Sequence, residues 1–95
     1  MVNRPLEGIR VLDLGQGVAA PYCGLLLAQY GAEVIKVEPL NGDWMRGLGK
    51  NCSGQTAYSI SYNLGKKGIA VDLKKAKGLE LVKKIAKTCD VVLEN

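Results

Sequence analysis

The 95-residue chain contains no histidine and no phenylalanine. Without histidine, no Ser-His-Asp or Cys-His nucleophile can be assembled from these residues, and no imidazole is available to a metal. Without phenylalanine, core volume must come from leucine, isoleucine, valine, alanine and a few tyrosines. The three cysteines, Cys23, Cys52 and Cys89, form neither a C-x-x-C pair nor a zinc-like spacing. Cys23 and Cys89 fall in apolar segments, so they read as buried, reduced thiols of a cytoplasmic protein. Long apolar runs are missing too. The longest, residues 18–28, contains Pro21 and falls short of the ~20 residues a membrane helix needs. No basic-apolar-small signal precedes Pro5. Membrane association is not expected.

What is present suits one small globular domain: 47% of the residues are apolar, enough to fill a core and too many for a disordered chain. The net charge of +4 is unevenly placed. Residues 1–65 carry five Lys or Arg against five acids, and the last thirty carry eight Lys against four. A basic end of this kind suits a phosphorylated ligand, although helix-face lysines also serve simply to solvate. No aromatics are interleaved with the lysines and no nucleic-acid motif is present, so nucleic-acid binding is not expected.

The chain is organised around residues 11–21. An apolar run at 9–14 stops at Gly15 and Gly17 and gives way to an apolar segment at 22–30. This order of strand, glycine turn and buried helix is how α/β domains bring backbone N–H groups to a phosphate. Gly15-Gln16-Gly17-Val18-Ala19-Ala20 matches G-x-G-x-x-A, and Glu38 stands where a dinucleotide fingerprint places its ribose partner. The same glycines could equally serve only a tight turn and close helix packing.

Along the chain, residues 9–14 predict the first strand and 22–30 a helix with Pro21 in its first turn and Gly31 as its stop. Residues 33–38 predict a second strand ended by Pro39. Residues 39–51 read as the one long loop, and Ser53 as the cap of a short helix reaching about Tyr62. Residues 63–68 predict a turn exposing Lys66 and Lys67, and 69–73 the third strand. An amphipathic helix follows, with Leu79, Val82, Ile85 and Ala86 inward and Lys77, Glu80, Lys83, Lys84 and Lys87 outward. A fourth strand occupies 90–94. The βαβαβαβ order predicts a Rossmann-like, doubly wound parallel α/β sheet of four strands, a partial sheet because the last strand has nothing after it to cover its edge. A fragment of a longer protein is the expectation.

Several blocks resemble a known family. Pro5-Leu6-Glu7-Gly8-Ile9-Arg10-Val11-Leu12-Asp13-Leu14 followed by Ala20-Pro21 is similar to the opening of the class III (CaiB/BaiF-type) coenzyme A transferases. So are the blocks at 27–39, at Gly42-Asp43-Trp44-Met45-Arg46, at 63–74 and at Asp90-Val91-Val92-Leu93-Glu94-Asn95. The resemblance spans essentially the whole chain. It implies the N-terminal part, residues 1–95, of a CoA-binding Rossmann-like domain within a longer, interlocked homodimer. The implied reaction moves CoA from an acyl-CoA donor to a free carboxylic acid through a catalytic aspartate beyond Asn95. This chain alone would then be inactive, with no tightly bound cofactor, CoA being the substrate. Asp13, Asp43, Asp72 and Asp90 are not promoted to the catalytic role; Asp13 and Asp90 read as structural acids at strand or loop edges.

Matching positions carry the family's CoA contacts. Gln16, Gly17, Val18 and Ala19 correspond to the turn beside pantetheine, and Val71, Asp72, Leu73 and Lys74 to a stretch near the nucleotide. Pro39 takes the place of an adenine neighbour, and Asn95 begins a further contacting segment. Lys74 suits a phosphate as a simple charge contact. Val18 and Pro39 replace a glutamine and an arginine of formyl-CoA transferases, which argues against formyl-CoA or oxalate as substrates. Three alternatives remain open at this point. They are a 2-methylacyl-CoA racemase of the same family, an NAD-dependent oxidoreductase using Gly15-x-Gly17-x-x-Ala20, and a non-catalytic interaction module.

Overall fold

The structure, a computed structural model, describes residues 3–95 of the chain; positions 1 and 2 of the expected 1–95 unit lie outside the described residues. Four strands, β1 (Arg10–Asp13), β2 (Glu33–Glu38), β3 (Lys67–Ala70) and β4 (Val91–Leu93), form one parallel sheet in the order β3-β2-β1-β4. Three helices connect them: α1 (Ala19–Gln29), α2 (Ala57–Tyr62) and α3 (Ala76–Ala86). This is the expected α/β arrangement, with the change of direction between β1 and β4 that defines a doubly wound sheet.

Strand alternation gives the sheet two apolar faces. Val11 and Val34 pair in register and pack with Ala32, Leu27 and Ala28 under α1. Leu12 and Val37 point the other way, onto Val71, Val82 and Ile85. Helix α1 ends as the sequence predicts. Gly31, at φ +106°, donates to the Ala28 carbonyl and Ala32 to that of Leu27, the paired bonds of a Schellman stop.

Four local expectations are corrected. The third strand lies at Lys67–Ala70 rather than 69–73. Its partner β2 runs only as far as Glu38 before Pro39, so after Val71 donates to the Glu38 carbonyl (2.9 Å) the chain bends away. Asp72 shapes that bend by accepting from the Lys74 N–H (3.0 Å). The cap of α2 is Thr56, not Ser53: Thr56 and Ser59 exchange side-chain-to-backbone bonds in a capping box, while Ser53 sits in a turn at φ +52°. The loop at 39–51 includes one turn of 3-10 helix at Trp44–Gly47, capped by Asp43. On α3, Leu79 is exposed; the inward stripe begins at Gly78, which touches the bend after the third strand so closely that a Cβ would strike the Asp72 carbonyl.

Exposure corrects a further reading. Cys23 and Cys52 are exposed and Cys89 half-buried; all three are free thiols. Helix α1 is buried only along the stripe containing Ala20, Pro21, Gly24 and Leu25, and its outer face presents Tyr22 and Cys23. Strand β4 pairs only with β1 among the described residues, and its Val92 is 53% exposed. No helix among the described residues is long and apolar enough to cross a membrane.

Candidate functional site

At the carboxyl ends of β1, β2 and β3 the following loops enclose a cavity of about 400 Å³. Leu14, Val37, Val71 and Leu73 supply an apolar wall. Gln16, Glu38, Pro39, Leu40, Asn41, Asp72 and Lys74 complete the lining. A polar cleft adjoins it, walled by Asp43, Trp44 and Arg46, and Gln16, Pro39 and Asn41 border both spaces. Carboxyl strand ends are where an open α/β sheet receives its ligand, because the loops diverge there and leave a crevice.

Of the ten positions singled out in the sequence, Gln16, Pro39, Val71, Asp72, Leu73 and Lys74 line this one cavity. The others do not. Gly17 is buried under the Trp44 ring, Val18 and Ala19 are exposed at the start of α1, and Asn95 holds the outer side of the turn. The Asn95 amide accepts from the Gln16 N–H at 3.2 Å and donates to the Gln16 carbonyl at 3.0 Å.

Beneath the glycine turn lie two buried ion pairs that the sequence did not reveal. Lys36 Nζ is 2.7 Å from Asp43 Oδ2, and Lys66 Nζ is 2.9 Å from Asp13 Oδ2, with every one of these side chains at most 2% exposed. Each carboxylate also holds a turn N–H: Asp13 Oδ1 accepts from Gly15 and Asp43 Oδ1 from Gly17, both at 2.9 Å. The alternating pattern of Glu33-Val34-Ile35-Lys36 offered the one sequence signal, since it puts Lys36 on an inward face. Lys66 is thus not the exposed turn lysine the sequence suggested, whereas Lys67 is 72% exposed and pairs with Glu33. Burial holds the Lys66 amine below its ordinary pKa, and the hydrogen bond to Asp13 opposes the shift.

This wiring changes what the glycine fingerprint can do. The Gly15 and Gly17 N–H groups are already bonded to carboxylates, and the Trp44 ring covers Gly17 so closely that a Cβ there would collide with it. Gly15 is equally constrained, by Ala20 of α1. Glu38 is engaged as well. Arg46 grips it through Nε (2.8 Å) and Nη2 (2.6 Å), and Asp43 donates its N–H to Oε2 (2.8 Å). The Arg46 hydrogen bond is the main reason the Glu38 carboxyl sits below the usual carboxylate range. The two glycine amides and the acid that the NAD reading drew on are therefore already engaged within the chain, and the glycines serve turn and packing.

Comparison with known proteins bears on the same residues. The sequence model of CoA-transferase family III matches residues 6–95. The chain is 48% identical over 94 residues to succinyl-CoA–D-citramalate CoA-transferase of Chloroflexus aurantiacus, covering 97% of this chain and 23% of that protein. It is 45% identical to succinyl-CoA:glutarate CoA-transferase of Homo sapiens, covering 97% and 22%. Among solved structures, a CAIB/BAIF family protein from Brucella suis superposes with a TM-score of 0.84 at 37% identity, covering 99% of this chain and 26% of that one. A hypothetical protein from Mycobacterium tuberculosis superposes with a TM-score of 0.81 at 40% identity, covering 94% and 24%. The chain spans about a quarter of the length of these relatives.

Proposed function

The chain belongs to CoA-transferase family III, and from that premise we propose that it is the coenzyme A-binding N-terminal part of an acyl-CoA:carboxylate CoA-transferase. One observation carries the reading of the site: six positions chosen from the sequence converge on a single cavity at the carboxyl ends of the strands. In this reading the apolar wall of Leu14, Val37, Val71 and Leu73 takes the adenine, and Lys74 neutralises a phosphate. Gln16, at the border of the two spaces, offers one amide donor and one acceptor to the pantetheine arm. Both relatives named above are succinyl-CoA-dependent transferases by name, which supports succinyl-CoA as donor and a dicarboxylic acid as acceptor.

The chemistry belongs to a carboxylate beyond Asn95. An aspartate there attacks the donor thioester and releases the CoA thiolate, leaving a mixed anhydride. The thiolate returns to give an enzyme thioester and free acid, and the acceptor carboxylate then takes CoA over by the same exchange in reverse. The present residues bind and orient CoA and keep it in place between these steps. We extend the proposal to a homodimer in the cytoplasm that holds no tightly bound cofactor.

Titration of CoA and of NAD against the chain, followed by calorimetry, tests the reading. CoA binding with no NAD binding is expected, and Lys74→Met is expected to weaken it roughly three- to tenfold at low salt, with the difference shrinking as salt screens the phosphates. NAD binding in the absence of CoA binding overturns it. In the full-length protein, transfer of CoA to added succinate or glutarate distinguishes a transferase from a racemase, which would instead take up deuterium at the α-carbon.

A further inference from the structure

We propose that Asp43, with its charge balanced by Lys36, is the positioning residue of the ligand cavity. It fixes the distance between the turn that carries Gln16 and the loop that carries Pro39 and Asn41. The inference rests on the coenzyme A reading, because it concerns how that cavity keeps its shape.

The two loops are separate walls of one space. The first follows β1, the second follows β2, and among the described residues no backbone–backbone hydrogen bond joins one loop to the other. Asp43 joins them. Its Oδ1 accepts from Gly17 on the first loop and from Met45 on the second, both at 2.9 Å. Its Oδ2 takes Lys36 Nζ at 2.7 Å, and the same ammonium reaches the Gly15 carbonyl at 3.3 Å. Its backbone N–H is anchored on Glu38. Trp44, the next residue, lays its ring over Gly17, and its backbone N–H donates to Gln16 Oε1 at 3.4 Å. One carboxylate therefore meets β2, its loop and the opposite wall.

A stability role alone does not account for this arrangement. A fully buried Lys–Asp pair gains little net free energy, because desolvating two ions offsets their attraction, and an apolar pair of similar volume often stabilises as well or better. What apolar side chains cannot do is accept two N–H groups in fixed directions. The ammonium makes the carboxylate tolerable inside, and the carboxylate sets the geometry.

Two double variants separate these roles. Lys36→Met with Asp43→Asn removes both charges and keeps an acceptor for Gly17. Lys36→Met with Asp43→Leu removes both charges and the acceptor, at similar volume. CoA affinity is measured by calorimetry, folding by circular dichroism, and the environment of Trp44, the only tryptophan of the 95 residues, by its emission. The Asn variant is expected to bind CoA within about threefold of the unaltered chain. The Leu variant is expected to lose at least about tenfold with a shifted Trp44 emission, the scale of loss that slight misplacement of binding groups brings.

Equal affinity of the two folded variants overturns the proposal and leaves the coenzyme reading standing. Absence of CoA binding to the unaltered chain overturns the coenzyme reading, and this inference with it. Failure of both variants to fold makes the pair structural and also overturns the proposal. If only the Leu variant fails, amide exchange in the unaltered chain decides. A Gly17 N–H that stays protected while the Gln16 signal shifts on adding CoA supports the positioning role, and a freely exchanging Gly17 N–H refutes it.

Discussion

Lys66 and Lys67 are adjacent and identical in type, yet one is sealed inside and the other lies on the surface. Lys66 donates to Asp13 (2.9 Å) and to the Pro21 carbonyl (2.8 Å), tying β1, α1 and the approach to β3 at one point. Replacing it by Met leaves the Asp13 carboxylate buried without a counter-ion. That change is expected to lower stability by about 3–5 kcal/mol, and adding Asp13→Asn to recover most of the loss, since a neutral pair leaves no isolated buried charge. Urea unfolding of both variants measures this. A loss under about 1 kcal/mol for the single variant would mean that Asp13 reaches water. Neighbouring sequence does not distinguish the two lysines, because the partner that buries Lys66 lies 53 residues away.

At the level of elements, α2 shows how a short segment stays helical. Six residues are too few to form a helix unaided, and α2 survives because Thr56 and Ser59 satisfy each other's backbone N–H (3.2 and 2.9 Å) while Tyr62 packs edge-on against Tyr22 of α1 (5.9 Å between ring centroids). Thr56→Ala removes the cap and is expected to cost about 1 kcal/mol. Native-state hydrogen exchange is expected to locate the loss, with amides of 57–62 opening faster and those of β1 and β2 changing least. Uniform acceleration across the sheet would instead show that α2 opens only with the whole domain. The helix itself was legible in the sequence and its cap was not, since Ser53 and Thr56 are both plausible caps and the turn closed by Cys52 and Gln55 decides between them.

Across the whole molecule, acid stability depends on carboxylates that join strands. Glu33 of β2 takes Arg10 of β1 (2.9 Å) on one oxygen and Lys67 of β3 (2.8 Å) on the other. The Arg10 hydrogen bond first, and that of Lys67 second, hold the Glu33 carboxyl down at about 2, against 4.5 unperturbed. Arg46 does the same in direction for Glu38. With folded-state values below unfolded ones, the stabilisation is complete above about pH 4.5 and is lost as pH falls toward about 2. Urea midpoints measured across that window are expected to fall with acidification, and Glu33→Gln to flatten the slope. An unchanged slope would show that these pairs are not what couples the sheet to pH.

Local physics in the chain itself determined the strand and helix types, the Gly31 stop and the parallel doubly wound order. Each follows from periodicity, from glycine's tolerance of positive φ or from connection length. The family blocks were likewise readable in order along the chain. Only the tertiary structure decided which charges are buried and where the strands stop. Asp13 and Lys66, and Lys36 and Asp43, look in sequence like ordinary polar residues at turns and strand ends; they become ion pairs because sheet formation brings β1, β2 and their loops together. The same assembly spends the glycine-turn amides on Asp13 and Asp43, so a motif that resembles a phosphate cradle in one dimension becomes, in three, a clamped turn that holds the wall of a cavity.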